Sequence, residues 1–323
     1  MLTRREVLIG AAAAGVAMST RRATVLAGPS QPATPVNFQV PSGACDCHVH
    51  LFGDPTRFPF SSVRTYTPEP ASVEQLRALH KALHTDRTVV VQPSVYGTDN
   101  ACTLDAIRQL GRGARGIAVI DEKTSDDQLD AMDRGGIRGI RINLGTTGQT
   151  DPDIARQRFR SAVNRIKDRR WHIQMFTQLS VIEAISDEVR ASPVPVVFDH
   201  FGQARAADGI DQLGFSALVT LVRSGKAYVK LSAPYRCSTQ TPDYKDMLPL
   251  ARALIAANPQ RMLWGTDWPH PDTSQVAGRA ATDVAPLLQI DDGRIFNQFA
   301  AWAPSAAERK TILVENPVRL YGF

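Results

Sequence analysis

Eight short apolar runs, at residues 45–50, 88–92, 116–120, 139–143, 172–176, 196–200, 228–232 and 262–266, constrain the fold more than any other feature of the chain. Each is too short for a helix. Runs such as Thr88-Val89-Val90-Val91 and Val196-Val197-Phe198 are rich in the β-branched residues of strands buried on both faces. Between them, residues 73–83, 104–110, 126–134, 154–169, 181–190, 215–223 and 244–257 carry helical periodicity. Gly135-Gly136, Gly225 and Asn258-Pro259 close several of these segments with helix-stop signals. Strands joined by helical crossovers pair in parallel, so the expected fold is α/β, a single-domain (β/α)8 TIM-like barrel. A doubly wound open sheet is the alternative. In a barrel, the chemistry sits at the C-terminal strand ends, where the loops toward the helices gather.

The barrel accounts for residues 44–323. Ahead of it, Arg4-Arg5 precedes the apolar run 7–18, and Val25-Leu26-Ala27 offers small residues for cleavage before Gly28. The run is too short to span a bilayer and suits a signal segment. It resembles a twin-arginine export signal, with Thr3 and Val7 in place of the commonest residues. The expectation is a leader over 1–27, use of the twin-arginine (Tat) translocon, and a periplasmic protein without a lasting membrane anchor. Residues 28–43 hold Pro29, Pro32, Pro35 and Pro41 and read as an extended tether.

The chain carries a formal +5, and losing Arg4, Arg5, Arg21 and Arg22 together with Glu6 leaves +2. No other basic run interleaves with aromatic residues, so nucleic acid is excluded as a partner. Cys45, Cys47, Cys102 and Cys237 make no disulfide framework and read as buried thiols.

At the end of the first strand, Asp46-Cys47-His48-Val49-His50 places two imidazoles two residues apart, able to converge on one point of the barrel mouth. There they can ligate a metal or donate N–H groups to a polarised carbonyl. The sixth strand ends in Asp199-His200, and the eighth in Trp264-Gly265-Thr266-Asp267-Trp268-Pro269-His270. A carboxylate between two indoles is no ordinary surface Asp. Arg141, ending the fourth strand, and Arg236, beyond the seventh, suit a small carboxylate gripped in bidentate fashion.

The first and eighth strand motifs, with the closing Asn316-Pro317-Val318-Arg319-Leu320-Tyr321, resemble the amidohydrolase-2 branch of the amidohydrolase superfamily, within its group of pyrone-dicarboxylate, sugar-lactone and muconolactone hydrolases. The resemblance runs from about Ala44 to Tyr321. It implies a hydrolase that opens a carboxylated lactone, Asp267 taking a proton from water while His48, His50 and His200 stabilise the oxyanion. It also implies substrate contacts from Tyr66 and Ser94. The metal-bridging residue common after the fourth strand of the superfamily is replaced here by Arg141-Ile142-Asn143, and the fifth strand ends Met175-Phe176-Thr177 without a histidine. His172 lies at the start of that strand, on the wrong side of the barrel. These departures argue against a dinuclear centre. The lactonase likeness implies no cofactor; the alternative is a single divalent metal such as zinc on His48, His50, His200 and Asp267. Gln203, Phe176 and Thr147 stand where the dicarboxylate lactonase has an arginine, a tyrosine and an arginine, which points to a less anionic lactone.

The spelling Gly111-Arg112-Gly113-Ala114-Arg115-Gly116 follows a helix and precedes a strand, the reverse of a dinucleotide turn. His80 and His84 share a helical face, but Lys81 stands where a zinc peptidase needs Glu. His270 reads as ordering the Asp267 loop. The rival functions are a lactone isomerase, a metal-dependent decarboxylase or amidohydrolase on the same site, and a periplasmic binding protein without turnover.

Overall fold

A computed structural model describes residues 28–274 and 276–323; the expected leader over 1–27 lies outside the described residues. The barrel strands are β1 Cys45–Val49, β2 Arg87–Val91, β3 Ala114–Ala118, β4 Ile137–Asn143, β5 His172–Phe176, β6 Val196–Phe198, β7 Ala227–Ser232 and β8 Met262–Gly265. They pair in parallel and in chain order. The seam between β8 and β1 closes just past the strand ends. There Val49 bridges Trp268, Asp267 donates its backbone N–H to the His48 carbonyl at 2.8 Å, and His50 donates to the Trp268 carbonyl at 2.8 Å. The two motifs expected to carry the chemistry are thus backbone partners across this seam.

The strand interiors stack in layers, as alternation along a barrel strand requires. Cys45, Cys47, Val89, Val91, Ile117, Val197, Tyr228 and Leu263 fill the apolar layer, and Tyr321 from the last helix, Asn316–Tyr321, joins them. His172 is buried against Tyr321, with ring centroids 5.3 Å apart, far from the mouth as the sequence implied. Gly139 makes room for it, since a Cβ there would stand 2.8 Å from the His172 ring. The closing Asn316 anchors that helix by donating its amide to the Pro259 and Met262 carbonyls, each at 2.8 Å.

Crossover helices Val73–Leu83 and Asp126–Arg134 start at Ser72 and Ser125, each with a capping box to the glutamine three residues on. Elsewhere the sequence reading needs correction. The segment 181–190 is two helices, Leu179–Ala184 and Ser186–Ala191, because Ile185 leaves helical geometry (φ −105°, ψ 13°). The helix expected from 244 begins at Leu248, since Tyr244 is left-handed (φ 49°) and a 3-10 turn intervenes. The eighth crossover helix, Asp292–Trp302, follows a long excursion that includes a two-residue ribbon, Val284–Ala285 against Thr67–Pro68. No helix among the described residues is long and apolar enough to cross a membrane.

Residues 28–43 are extended and are bound along their length. Asp291, the N-cap of helix Asp292–Trp302, accepts from the Ala33 and Thr34 backbone at 3.1 and 3.2 Å and from the Thr34 hydroxyl at 2.6 Å. Phe38 packs edge-on to Phe296, and Trp268 donates its indole N–H to the Ser30 carbonyl at 3.0 Å. Replacing Asp291 by Ala should cost about 1–2 kcal/mol through the lost cap and strap bonds. It should also speed limited proteolysis within 28–43; an unchanged cleavage rate would show that the strap is held elsewhere. Burial alone would raise the Asp291 carboxyl, but the bonds from Thr34, Arg294 and Ala33 outweigh it and hold it below the usual aspartate value. The strap's hold is therefore complete above the ordinary aspartate range and is lost as acid brings the pH down through the depressed folded value.

Candidate active site

The barrel interior turns polar toward its mouth. Arg141 on β4, Gln174 on β5 and Lys230 on β7 project inward around Asp199, which follows β6, and all four are buried. Asp199 Oδ2 accepts from Arg141 Nε at 3.2 Å, Arg141 Nη2 at 3.1 Å and Gln174 Nε2 at 3.1 Å. Lys230 Nζ donates to Gln174 Oε1 at 2.7 Å and lies 3.6 Å from Asp199 Oδ1 and 3.3 Å from His48 Nδ1. Burial alone would raise the Asp199 carboxyl, yet His48, Lys230 and Arg141 together hold it well below the usual range. Burial lowers Lys230.

Above this layer the expected residues meet. His48 Nε2 and His50 Nε2 are 3.3 Å apart, and Asp267 Oδ1 lies 3.5 Å from His48 Nε2, 3.4 Å from His50 Nε2 and 3.7 Å from His200 Nε2. The β1 register shifts between Asp46 and Val49, so the convergence of His48 and His50 comes from an irregular strand, where a plain two-residue alternation was expected. Asp267 and His200 are themselves left-handed, at φ 67° and 50°. Non-glycine residues adopt that conformation at a cost of about 1–3 kcal/mol, and only where surrounding contacts enforce it. Burial lowers His48 well below its ordinary value, and holds His200 down to about 4, so both imidazoles are neutral at neutral pH. Asp267 would be raised by burial, but the Arg236 guanidinium outweighs it and holds it well below the carboxylate range.

The outer imidazole nitrogens report on what the centre can do. His50 Nδ1 is 2.8 Å from the Val91 carbonyl, which only accepts, so Nδ1 carries the proton and neutral Nε2 presents a lone pair. The oxyanion-donor role expected of His50 therefore needs a second proton on its ring. His48 Nδ1 lies 3.3 Å from Asp199 Oδ1, and His200 Nδ1 lies 2.8 Å from Ser232 Oγ. Asp267 Oδ1 and Asp199 Oδ1 are buried without a hydrogen-bond partner among the described residues.

These features fit a single cation. His48, His200 and Asp267 bring ligand atoms within 4.8 Å of one another; His50, expected as a fourth ligand, is not part of that group, although its Nε2 is 3.4 Å from Asp267 Oδ1. Tetrahedral zinc with bonds of about 2.0–2.1 Å sets its ligands about 3.3–3.4 Å apart. A cation there would satisfy Asp267 Oδ1, and the Nδ1–H tautomer it requires of His48 would satisfy Asp199 Oδ1.

The cleft over this centre is lined by His50, Tyr66, Ser94, Arg141, Phe176 and Arg236, among others, so each expected substrate contact reaches it. Burial pushes the Tyr66 phenol up to about 12, against a smaller lowering from Ser94. Arg236 directs Nε to Asp267 Oδ2 at 2.8 Å, Nη1 to Thr273 Oγ1 at 3.3 Å and Nη2 to the Pro271 carbonyl at 3.2 Å. A bidentate grip on substrate would have to replace these bonds. Arg141 stacks over Phe176 at 5.4 Å, with Nε and Nη2 on Asp199 and Nη1 left for the cleft. Of the three departures, Phe176 lines the cleft, while Thr147 turns back to the Leu144 carbonyl and Gln203 is not among the lining residues.

The sequence reading missed Gln174, Lys230, Asp199 and Tyr235 as parts of the site. A lysine inside Tyr228-Val229-Lys230-Leu231-Ser232 was the available signal, because a central barrel strand has no solvent face on which to put it.

A family model described as amidohydrolase matches residues 45–323. The chain is 33% identical over 298 residues to a 4-sulfomuconolactone hydrolase of Hydrogenophaga intermedia, covering 91% of this chain and 94% of that one. It is 34% identical over 304 residues to a 2-pyrone-4,6-dicarboxylate hydrolase of Comamonas testosteroni, covering 91% and 94%. A solved structure of a candidate 2-pyrone-4,6-dicarboxylic acid hydrolase from Pseudomonas putida superposes with a TM-score of 0.72 at 30% identity, over 88% of this chain and 98% of that one.

Proposed function

This chain belongs to the amidohydrolase family, and from that premise we propose that it is a hydrolase opening a lactone that bears one anionic substituent. One observation carries the reading. Tyr235 OH at 2.6 Å and Arg236 Nε at 2.8 Å occupy Asp267 Oδ2, leaving Oδ1 as the carboxylate oxygen without a hydrogen-bond partner among the described residues, in a side chain that lines the cleft. An ionised carboxylate with one open oxygen at the floor of a cleft is placed to take a proton from water. The water oxygen bonds to the lactone carbonyl carbon, and its proton goes to Asp267 Oδ1. The ring C–O bond then breaks, and Asp267 returns the proton to the departing ring oxygen. The relatives' printed substrates, a sulfomuconolactone and a pyrone dicarboxylate, are both anionic lactones.

Substrate charge follows from the guanidinium edges. Arg141 Nη1 is the uncommitted donor, beside the Phe176 ring, and it suits one carboxylate or sulfonate. The test measures ring opening of a monoanionic muconolactone against 2-pyrone-4,6-dicarboxylate, by proton release and product analysis. We expect the monoanion to have the higher kcat/KM. A preference for the dicarboxylate would overturn the charge assignment; isomerised lactone without ring-opened acid would replace hydrolysis by isomerisation.

The alternative to a metal-free centre is a divalent cation, which His48, His50, His200 and Asp267 would hold and which would supply Lewis-acid polarisation of the lactone carbonyl when bound. Asp267 Oδ1 cannot both ligate a cation and stand open to a water proton, because Tyr235 and Arg236 already fill Oδ2, so the proton transfer to Oδ1 is that of the metal-free centre. Chelation should therefore leave activity unchanged. Loss of activity on chelation, restored by one equivalent of zinc, would give the centre to the cation and take the proton-accepting role from Asp267 Oδ1.

The arginine pair and apolar run of residues 1–27 support export to the periplasm through the twin-arginine route. Retention of the full-length chain in the cytoplasm after Arg4→Lys and Arg5→Lys together would agree with this; unchanged export would contradict it.

A further inference from the structure

Behind Asp267 lies a file of polar groups that the reaction scheme leaves unused. Tyr235 OH is 2.6 Å from Asp267 Oδ2, His270 Nδ1 is 3.3 Å from the Tyr235 oxygen, and His270 Nε2 is 2.9 Å from Asp292 Oδ2. His270 and Asp292 are fully buried, and Tyr235 is partly so. The direction of each bond follows from its acceptor. An ionised Asp267 only accepts, so Tyr235 donates its one proton to it. The Tyr235 oxygen then accepts from His270, which requires a proton on Nδ1. His270 Nε2 and Asp292 Oδ2, at 2.9 Å, hold a further proton between them. The donors at Tyr235 OH and His270 Nδ1 both point toward Asp267.

The backbone gives this file something to hold. Asp267 and His270 both sit in the left-handed region, at φ 67° and 62°, on a loop that passes between the barrel seam and helix Asp292–Trp302. Side chains in such positions drift to easier geometries unless several contacts agree on one arrangement. Here Asp292 is fixed by the first turn of its helix, His270 by Asp292, and Tyr235 by His270. Arg236 alone would leave the Asp267 carboxylate free to turn about one contact.

We propose that His270 and Tyr235, held in place by Asp292, form a donor chain that fixes Asp267 with Oδ1 toward the cleft, Tyr235 and His270 acting as positioning residues that do not touch the substrate. In its kinetic consequence this rests on the lactone-hydrolase reading; in its proton arrangement it does not.

The test uses the full chain with 15N-labelled histidine. NMR should show the His270 Nδ1 protonated, its signal identified by loss in His270→Gln and displaced in Tyr235→Phe. A His270 Nδ1 without a proton overturns the proposal. On a lactone that the wild type opens, Tyr235→Phe should lower kcat by about 10- to 100-fold with KM changed less than about threefold. Asp292→Asn can still donate to His270 Nε2, so it should stay within about threefold of wild type, whereas Asp292→Leu should fall as far as Tyr235→Phe. An unaffected kcat in Tyr235→Phe, or equal losses in the Asn and Leu variants with both shown folded by thermal melting, overturns the chain. Should the wild type open no lactone, the functional reading has failed on its own account, and the NMR result decides the chain.

Discussion

Asp267→Asn should lower kcat by roughly a thousandfold or more while the protein still binds its lactone. Asparagine keeps the shape of the side chain and an oxygen that Tyr235 and Arg236 can reach. It cannot take and return a proton, so the loss falls on the step at which water loses one. On the proposed reading substrate binding draws on Arg141, Phe176 and Ser94, which line the cleft and which the change does not touch. Steady-state rates together with calorimetric binding of the same lactone check both halves. If kcat stays within about tenfold of wild type, Asp267 is not the proton acceptor. If binding disappears along with turnover, the carboxylate holds the ligand and the assignment of roles must be redrawn.

The largest stability effect is expected one layer deeper. Asp199 serves Arg141 and Gln174 through one oxygen and faces His48 and Lys230 with the other, and no side chain in this group is more than 6% exposed where an ion pair is made. Asp199→Ala strands two cations in the barrel interior and should cost about 3–5 kcal/mol. Lys230→Met should cost far less, because Arg141 still balances the carboxylate and a methionine fills the space of the lysine stem. Urea unfolding of the two variants makes the comparison. Equal losses would mean that Lys230, rather than Arg141, is the main partner of Asp199.

How much of this could be read beforehand depended on what competes locally. The eight strands were legible because a barrel interior and its helical jacket both demand apolar residues, which leaves runs such as Thr88-Val89-Val90-Val91 no other reading. His48, His50, His200 and Asp267 were legible because strand ends in this architecture gather at one mouth, and the structure brings them within a few ångströms. Gln174 and Lys230 were not, since a polar residue two positions from another in a strand looks like an ordinary solvent-facing one until the barrel closes around it. Ile185 split a helix whose periodicity runs on unbroken. Helix Asp292–Trp302 escaped although Asp291 caps it and Ile295, Phe296, Phe299 and Trp302 line one buried face; the excursion over 266–291 separates it from the strand it serves. The sharing of protons in the site was beyond sequence altogether. It follows from which atoms the outer ring nitrogens meet, such as the Val91 carbonyl at His50.

The strap over residues 28–43 also bears on when this protein can finish folding. The Thr34 carbonyl occupies the very space a Cβ on Gly293 would need, only 1.9 Å away, so strap and helix fit by the absence of a side chain. The partners joined there, and at Ser30 with Trp268, are separated by 238 to 262 positions along the chain. Contacts between such distant segments form only after the later segment has been made. A nascent chain can assemble its early strands first, while the Asp267 loop waits for helix Asp292–Trp302 before it gains these supports. The mouth of the barrel is therefore late to be completed.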